Sequence, residues 1–130
     1  MIRYSSDEPI SAEQFIDLLE RSGLAARRPV HDRACIEGMV AHADITVTAW
    51  DDTLLVGVAR SVTDYSYCCY VSDLAVDRGF QRTGIGRRLL DLTRAQVGPL
   101  CKLLLFSAPA AQSYYPHIGF ESNPNGWVRE

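Results

Sequence analysis

The sequence predicts a mixed α+β fold, in a single domain over residues 1–130. Three observations support this prediction. Segments of strand-like alternation follow one another through short polar turns in the middle of the chain, which is typical of an antiparallel meander. Three other stretches carry apolar residues at helical spacing. The last of these is followed by a continuous apolar run, which indicates a right-handed crossover into a parallel strand.

The first third of the chain predicts one short strand and two helices. Residues 2–5 form the candidate strand. Ser11 and Gln14 have the spacing of a capping box, so a helix is expected over residues 11–22, with Gly23 ending it. A second helix is predicted to begin near Asp32 and to stop before Asp44.

The middle of the chain predicts the sheet. Residues 45–50, 54–62 and 67–76 are expected to form three successive strands. Residues 85–97 have a broad apolar helical face, and residues 102–106 form an apolar run expected to be a strand buried on both faces. After a helical or turn segment at residues 109–117, residues 119–122 and 127–129 are candidate final strands.

Composition narrows the classes of partner and ligand. The formal net charge is −3 and no basic block occurs, so nucleic acid is not an expected partner. The four cysteines lack metal-ligand spacing, and no metal site is predicted. Adjacent Cys68 and Cys69 are expected to point to opposite faces of a strand. Without an apolar signal segment or a membrane span, a reduced cytoplasmic setting is the default expectation.

A turn of basic and small residues joins the third meander strand to the helix that follows. Residues 81–86, which we call the glycine turn, have the sequence Gln-Arg-Thr-Gly-Ile-Gly. Gly84 and Gly86 leave the backbone open to a ligand where the helix begins. Free N–H groups and the helix dipole there favour an anion. The turn lacks the third glycine of a dinucleotide fingerprint, since position 89 is Leu, and the Gly-Lys-Ser/Thr of a P-loop.

The glycine turn resembles the Gln/Arg-x-x-Gly-x-Gly/Ala signature of the GNAT acetyltransferase superfamily. The preceding residues 74–77 are similar to a strand of that family, and the order of elements resembles the GNAT fold along essentially the whole chain. The resemblance implies a mixed sheet of about six or seven strands flanked by about four helices. It also implies that the fourth and fifth strands are parallel and splay apart around the cofactor.

Acetyl-coenzyme A is the cosubstrate that this resemblance implies. Its pyrophosphate is expected on the backbone N–H groups of the glycine turn, and its pantetheine arm is expected to pair with the strand before the turn. Arg82 and Arg87 either add charge near the phosphates or are ordinary surface residues. The expected cofactor contacts are Leu74, Ala75, Val76, Gln81, Arg82, Thr83, Gly84, Ile85, Gly86, Arg87 and Ser113.

Residues 108–120 resemble a second GNAT segment, Asn-x-x-Ala-x-x-Phe-Tyr-x-x-x-Gly-Phe. Tyr115 falls on the tyrosine that commonly protonates the leaving coenzyme A thiolate, a role that suits a phenol at neutral pH. Tyr114 is expected to pack. Ala108 stands where the family often has Asn, a cofactor contact that Ser107 or Ser113 could replace.

The general base is less clearly marked. Asp73, on the cofactor strand, is the first candidate, directly or through a water; alternatively it ties the splayed strands. His117 and Asp64 are further candidates. We expect direct transfer, in a ternary complex, to a primary amine of a small molecule or peptide. The alternatives are a non-catalytic acetyl-coenzyme A sensor on the same fold, and an ordinary structural turn. A homodimer through an exposed edge is also compatible with the sequence.

Overall fold

A computed structural model describes residues 1–130 and confirms the mixed α+β fold. Five strands form one sheet in the order β1-β2-β3-β4-β5, in which the first four strands are antiparallel neighbours and β4 and β5 are parallel. The strands are β1 (Ile2–Ser5), β2 (Ile45–Asp51), β3 (Leu54–Thr63), β4 (Cys68–Val76) and β5 (Lys102–Leu104). The α-helices are α1 (Ala12–Ser22), α2 (Arg33–Ala41) and α3 (Ile85–Arg94).

Local chemistry explains where the first two helices begin. The Ser11 hydroxyl accepts a hydrogen bond from the Gln14 N–H (3.1 Å), and the Gln14 side chain accepts one from the Ser11 N–H (2.9 Å). This is the predicted capping box, and Gly23 ends α1 in the left-handed conformation with φ of 86°. Asp32 caps α2 by accepting from the Cys35 N–H at 3.0 Å.

The core lies on both faces of the sheet. On one face, α1 and α2 bury Phe15, Leu18 and Ile36 against β3 and β4. On the other face, α3 packs Ile85 and Leu89 against β2 and β3. Gly57 on β3 permits this close packing, because a Cβ there would lie 3.1 Å from both of these α3 side chains. The glycine therefore helps to fix the start of α3, and with it the glycine turn.

The prediction for the C-terminal third needs correction. The sheet has five strands and three α-helices flank it, and residues 119–122 and 127–129 form no strand. Residues 109–117 contain two short 3₁₀ turns, each with a proline near its start, where a missing N–H is tolerated. Helix α3 ends at Arg94, three residues earlier than predicted, and the Arg94 side chain donates to the Cys101 and Gly98 carbonyls beyond it.

The apolar run at residues 102–106 was also predicted wrongly as a strand buried on both faces. Strand β5 spans three residues, and Lys102 and Leu104, which point to the same face, are exposed, whereas Leu103 on the opposite face is partly buried. Cys68 is exposed and Cys69 is buried, which matches the expected alternation. None of the helices combines the length and the apolar character needed to cross a membrane.

The parallel strands β4 and β5 separate soon after they pair. Their pairing covers Cys68 to Tyr70 on β4, and residues 71–76 have no strand partner on that edge. At the same place the register between β3 and β4 shifts: Arg60 faces Asp73 and Ser61 faces Val71, so Ser72 is an extra residue. Such a β-bulge bends its strand. The implied splay is therefore present, and it begins at the bulge.

Candidate active site

A groove of about 860 Å³ lies between the free edge of β4, the glycine turn and the segment after β5. It is lined by all of the expected cofactor contacts except Thr83, and by Tyr115. The Thr83 hydroxyl instead donates to the Phe80 carbonyl within the turn. The sequence had not singled out Arg78 and Phe80, which also line the groove. They lie in a 3₁₀ turn after β4 that carries no motif.

The glycine turn presents a row of free backbone donors. The N–H groups of residues 81–87 donate to no other group in the protein, and the first helical bond in this region runs from the Arg88 N–H to the Gly84 carbonyl. Four such groups are expected at any helix start, and here the preceding turn extends the row. The Gln81 side chain fastens the turn to the end of β4 by donating to the Val76 carbonyl at 3.0 Å.

Backbone conformation explains why this turn uses small residues. Gly84 caps α3 with φ of 89°, and a Cβ placed on it would meet no atom within 4 Å, so its backbone faces open space. A Cβ on Gly86 would lie 3.2 Å from the Tyr114 hydroxyl oxygen, so Tyr114 borders the turn as well as packing. Arg82 also has a positive φ, 64°, which is uncommon for a residue with a side chain.

Positively charged side chains line the groove, and negatively charged side chains do not. Four arginines line it without a hydrogen bond or ion pair from their side chains: Arg27, Arg78, Arg82 and Arg87. No aspartate or glutamate lines it. Most other arginines are engaged, such as Arg21 with Asp77 or Arg94 with backbone carbonyls. Free backbone donors beside free guanidinium groups are an arrangement that favours the binding of an anion.

A smaller chamber of about 60 Å³, lined by eight hydrophobic residues together with Arg28 and Ser72, adjoins the groove. Leu74, Ala108 and Tyr115 line both spaces, while Val71 and Phe106 line the chamber alone. This volume holds about two water-sized groups. The chamber lies in the gap between the splayed strands.

Tyr115 is held by its ring and free at its hydroxyl. The ring packs edge-to-face on Tyr114 (5.3 Å between centroids) and Phe120 (5.5 Å). The hydroxyl hydrogen-bonds to no protein group, and the side chain lines both the groove and the chamber. Burial, with a smaller contribution from Tyr114, raises the pKa of Tyr115 above its ordinary value. The phenol therefore keeps its proton at neutral pH and can donate it.

Asp73 does not line the groove, although it was the first candidate for the base. Its carboxylate is fully buried, and its two oxygens accept from the Nε atoms of Arg28 and Arg60. Both guanidinium groups also reach the bulge at 2.8 Å: Arg28 donates to the Ser72 carbonyl and Arg60 to the Ser72 hydroxyl. We call Arg28, Asp73 and Arg60 the clamp. This geometry suits the alternative role, tying the strands at the splay, rather than proton transfer.

The other candidate site residues lie partly in the groove and partly elsewhere in the fold. His117, Ser113 and Ala108 line the groove, and Ser107 does not. The Asp64 carboxylate accepts from the N–H groups of residues 66–68 in the turn before β4, which lowers its pKa. Leu24 and Arg27, between α1 and α2, also line the groove, whereas residues 64–66 and 123–127 do not.

Comparison with known sequences identifies one family. Residues 11–127 match the model of the acetyltransferase (GNAT) domain. The chain is 28% identical over 135 aligned residues to GCN5-related N-acetyltransferase 1, chloroplastic, of Arabidopsis thaliana, an alignment that covers 93% of this chain and 68% of that protein. It spans about a third of the length of two soybean acetyltransferase relatives that it also matches.

Solved structures share the fold. A probable acetyltransferase from meticillin-resistant Staphylococcus aureus superposes with a TM-score of 0.81 at 20% identity, over 100% of this chain and 99% of that one. The structure of AAC(6')-Iy, which holds the bisubstrate analog CoA-S-monomethyl-acetylneamine, superposes with a TM-score of 0.74 at 16% identity, over 100% and 98% of the two chains.

Proposed function

From the premise that this chain belongs to the GNAT acetyltransferase family, we propose that it transfers the acetyl group of acetyl-coenzyme A directly to a primary amine of a small molecule or peptide. The observation that carries this proposal is the row of unpartnered N–H groups at residues 81–87, joined by the groove to Tyr115. A purely structural turn has no need of seven free donors beside unpaired arginines.

The groove matches the parts of the cosubstrate in order. The free donors of the glycine turn, with Arg82 and Arg87, would hold the phosphates. The unpaired edge of β4 at residues 74–76 would pair with the amides of the pantetheine arm, as an added strand does. The chamber beside Tyr115 has room for a group of acetyl size. The residues present therefore fit the phosphate, pantetheine and acetyl parts of acetyl-coenzyme A.

The chemistry requires two proton movements. The neutral amine nitrogen forms a bond to the thioester carbonyl carbon, and the carbon–sulfur bond breaks. Tyr115 gives its proton to the departing thiolate and regains one from water. No carboxylate lines the groove, so the amine loses its proton to water or to His117, which does line it. Orientation of the two substrates then supplies most of the acceleration.

A second function on the same fold is acetyl-coenzyme A binding without transfer. Ala108 in place of the family's asparagine and the absence of a carboxylate from the groove favour it. The two functions are separated by incubating the protein with acetyl-coenzyme A labelled in the acetyl group and a panel of primary amines. Transfer predicts equal amounts of labelled amide and free thiol. A sensor predicts retained cosubstrate and neither product, and a Gly86→Trp variant serves as the control with a blocked turn.

Substitution of Arg82 distinguishes an effect on cosubstrate binding from an effect on stability. Its backbone is in the left-handed region, and its side chain lines the groove. In Arg82→Gly we expect the free energy of unfolding to change by less than about 1 kcal/mol, since relief of the backbone strain offsets the greater freedom of the unfolded chain. We expect the Kd for acetyl-coenzyme A to rise by about tenfold, because a charge-assisted contact is lost.

Chemical denaturation and calorimetric titration measure these two effects. Arg129→Gly is the matched control, since Arg129 is exposed and does not line the groove. A loss of stability in Arg82→Gly, with unchanged affinity, would assign this arginine to the fold instead.

A further inference from the structure

The charges around the inner end of the groove indicate the class of acceptor. No acidic side chain lines the groove or the chamber, although the chain has sixteen aspartates and glutamates. Three acids on the elements around the groove are engaged or outside its lining: Asp73 lies in the clamp, Asp77 binds Arg21, and Asp91 is exposed on α3 and does not line the groove. An acceptor with several ammonium groups would therefore find no counter-charge, and desolvating an unpaired cation is costly.

The clamp adds a positive charge of its own. Two guanidinium groups share a single carboxylate, so Arg28, Asp73 and Arg60 together carry one net positive charge. The side chains of Arg28 and Arg60 are only 20% and 8% exposed, so water screens this charge weakly. Arg28 and Ser72 also line the chamber. The potential at the chamber wall is therefore positive.

Arg27 places a second, free charge at the same end. Its carbonyl accepts from the Arg28 guanidinium at 2.8 Å, so its backbone lies one side chain away from Asp73. The Arg27 side chain is exposed, lines the groove and has no partner. Arg82 and Arg87 belong to the glycine turn and the start of α3, which follow the C-terminal end of β4, whereas Arg28 joins the Arg27 backbone to the bulge in the middle of that strand. Arg27 therefore lies in a different segment from the arginines assigned to the phosphates, and its backbone is joined to the clamp.

We propose that the acceptor is a small amine that also carries a carboxylate, of the amino-acid type, and that Arg27 binds this carboxylate. The net positive charge of the clamp adds to the attraction for this anion, and Leu24, which lines both the groove and the chamber, offers apolar surface to the rest of the molecule. Polyamines, aminoglycosides and basic peptides are excluded as preferred acceptors by the missing counter-charges. This proposal rests on the proposed acetyl transfer and specifies its acceptor.

The test measures acceptor binding to protein saturated with desulfo-coenzyme A. Glycine, L-alanine, L-leucine and L-phenylalanine are each titrated beside the corresponding amide, which lacks only the negative charge, and spermidine and neamine represent polycations. We expect at least one amino acid to bind about tenfold or more tightly than its amide, and tighter than either polycation. In R27Q this preference should fall to about parity, whereas R129Q should keep it.

Two results would overturn the proposal: no amino acid preferred over its amide, or a preference that R27Q leaves intact. Tighter binding of spermidine or neamine would assign the opposite class of acceptor. Failure of desulfo-coenzyme A itself to bind is a different result, because it would remove the proposed function and not only the acceptor class.

Discussion

Replacement of Tyr115 by phenylalanine is expected to lower kcat for acetyl transfer by about 100-fold or more and to leave the Kd for acetyl-coenzyme A unchanged. The ring contacts with Tyr114 and Phe120 remain in this variant, and the lost hydroxyl has no hydrogen-bond partner in the protein. The fold and the groove should therefore persist, and only the proton donor is removed. Steady-state kinetics and calorimetric titration on the same preparation measure both quantities.

Tyr114→Phe is the matched control. It removes a hydroxyl from the neighbouring tyrosine, which borders Gly86 rather than the chamber, so we expect a change in affinity and little change in kcat. Wild-type kcat in Tyr115→Phe would contradict the acid role.

The pH profile gives a second test of the acid role. A general acid must carry its proton, so turnover is lost only as the pH rises through its pKa. Because burial raises the pKa of Tyr115 above the usual value of about 10, kcat should not decline between pH 7 and about 10 on its account. A falling limb in that range that vanishes in Tyr115→Phe would mean that the phenol has a lowered pKa instead.

Replacement of Asp73 by alanine is expected to reduce the free energy of unfolding by about 3–5 kcal/mol. The substitution leaves the guanidinium groups of Arg28 and Arg60 side by side and largely buried without their shared carboxylate. It also releases the bulge at Ser72, where both arginines are anchored. Urea denaturation followed by tryptophan fluorescence measures the loss, since Trp50 is buried.

Asp17→Ala provides the comparison with an ordinary ion pair. Asp17 pairs with Arg21 but is 59% exposed, so its removal should cost less than about 1 kcal/mol. If Asp73→Ala were no more destabilising than Asp17→Ala, the clamp would not hold the bulge as described.

The milder Asp73→Asn variant distinguishes the two roles considered for Asp73, which are holding the strands together at the bulge and accepting a proton as the general base. An asparagine keeps the size of the side chain and loses the charge. If Asp73 only positions the strands, the fall of kcat at low pH should have the same midpoint in this variant as in the wild type, while the KM for the acceptor rises. Loss of that fall would restore Asp73 as the base.

Sequence spacing was sufficient for the parts of the fold that depend on near neighbours. Ser11 and Gln14 predicted the start of α1, and two glycines predicted the turn at the start of α3, because caps and turns are local in the chain. The meander followed from alternation and short turns. Resemblance to a family supplied what periodicity does not contain, the separation of β4 from β5.

The clamp could not be predicted from the sequence, because its three residues are far apart in the chain. Arg28 and Asp73 are separated by 45 positions and Arg60 and Asp73 by 13, and no local pattern joins them. The bulge at Ser72 inserts one residue without a glycine or proline to mark it. The prediction of two final strands was wrong for a different reason. Residues 119–130 hold few apolar residues between turn-forming residues, too few to stabilise a strand against irregular backbone.

The most direct test of the central claim is calorimetric titration with acetyl-coenzyme A. The proposed site predicts saturable binding of one molecule per chain, abolished by Gly86→Trp, in which a bulky side chain enters the groove beside Tyr114. Gly38→Trp is the matched control, because Gly38 lies on α2 with no atom within 4 Å of its Cβ position, and it should bind normally. No binding at millimolar cosubstrate, or equal binding by both variants, would contradict the assignment of the glycine turn as the phosphate site.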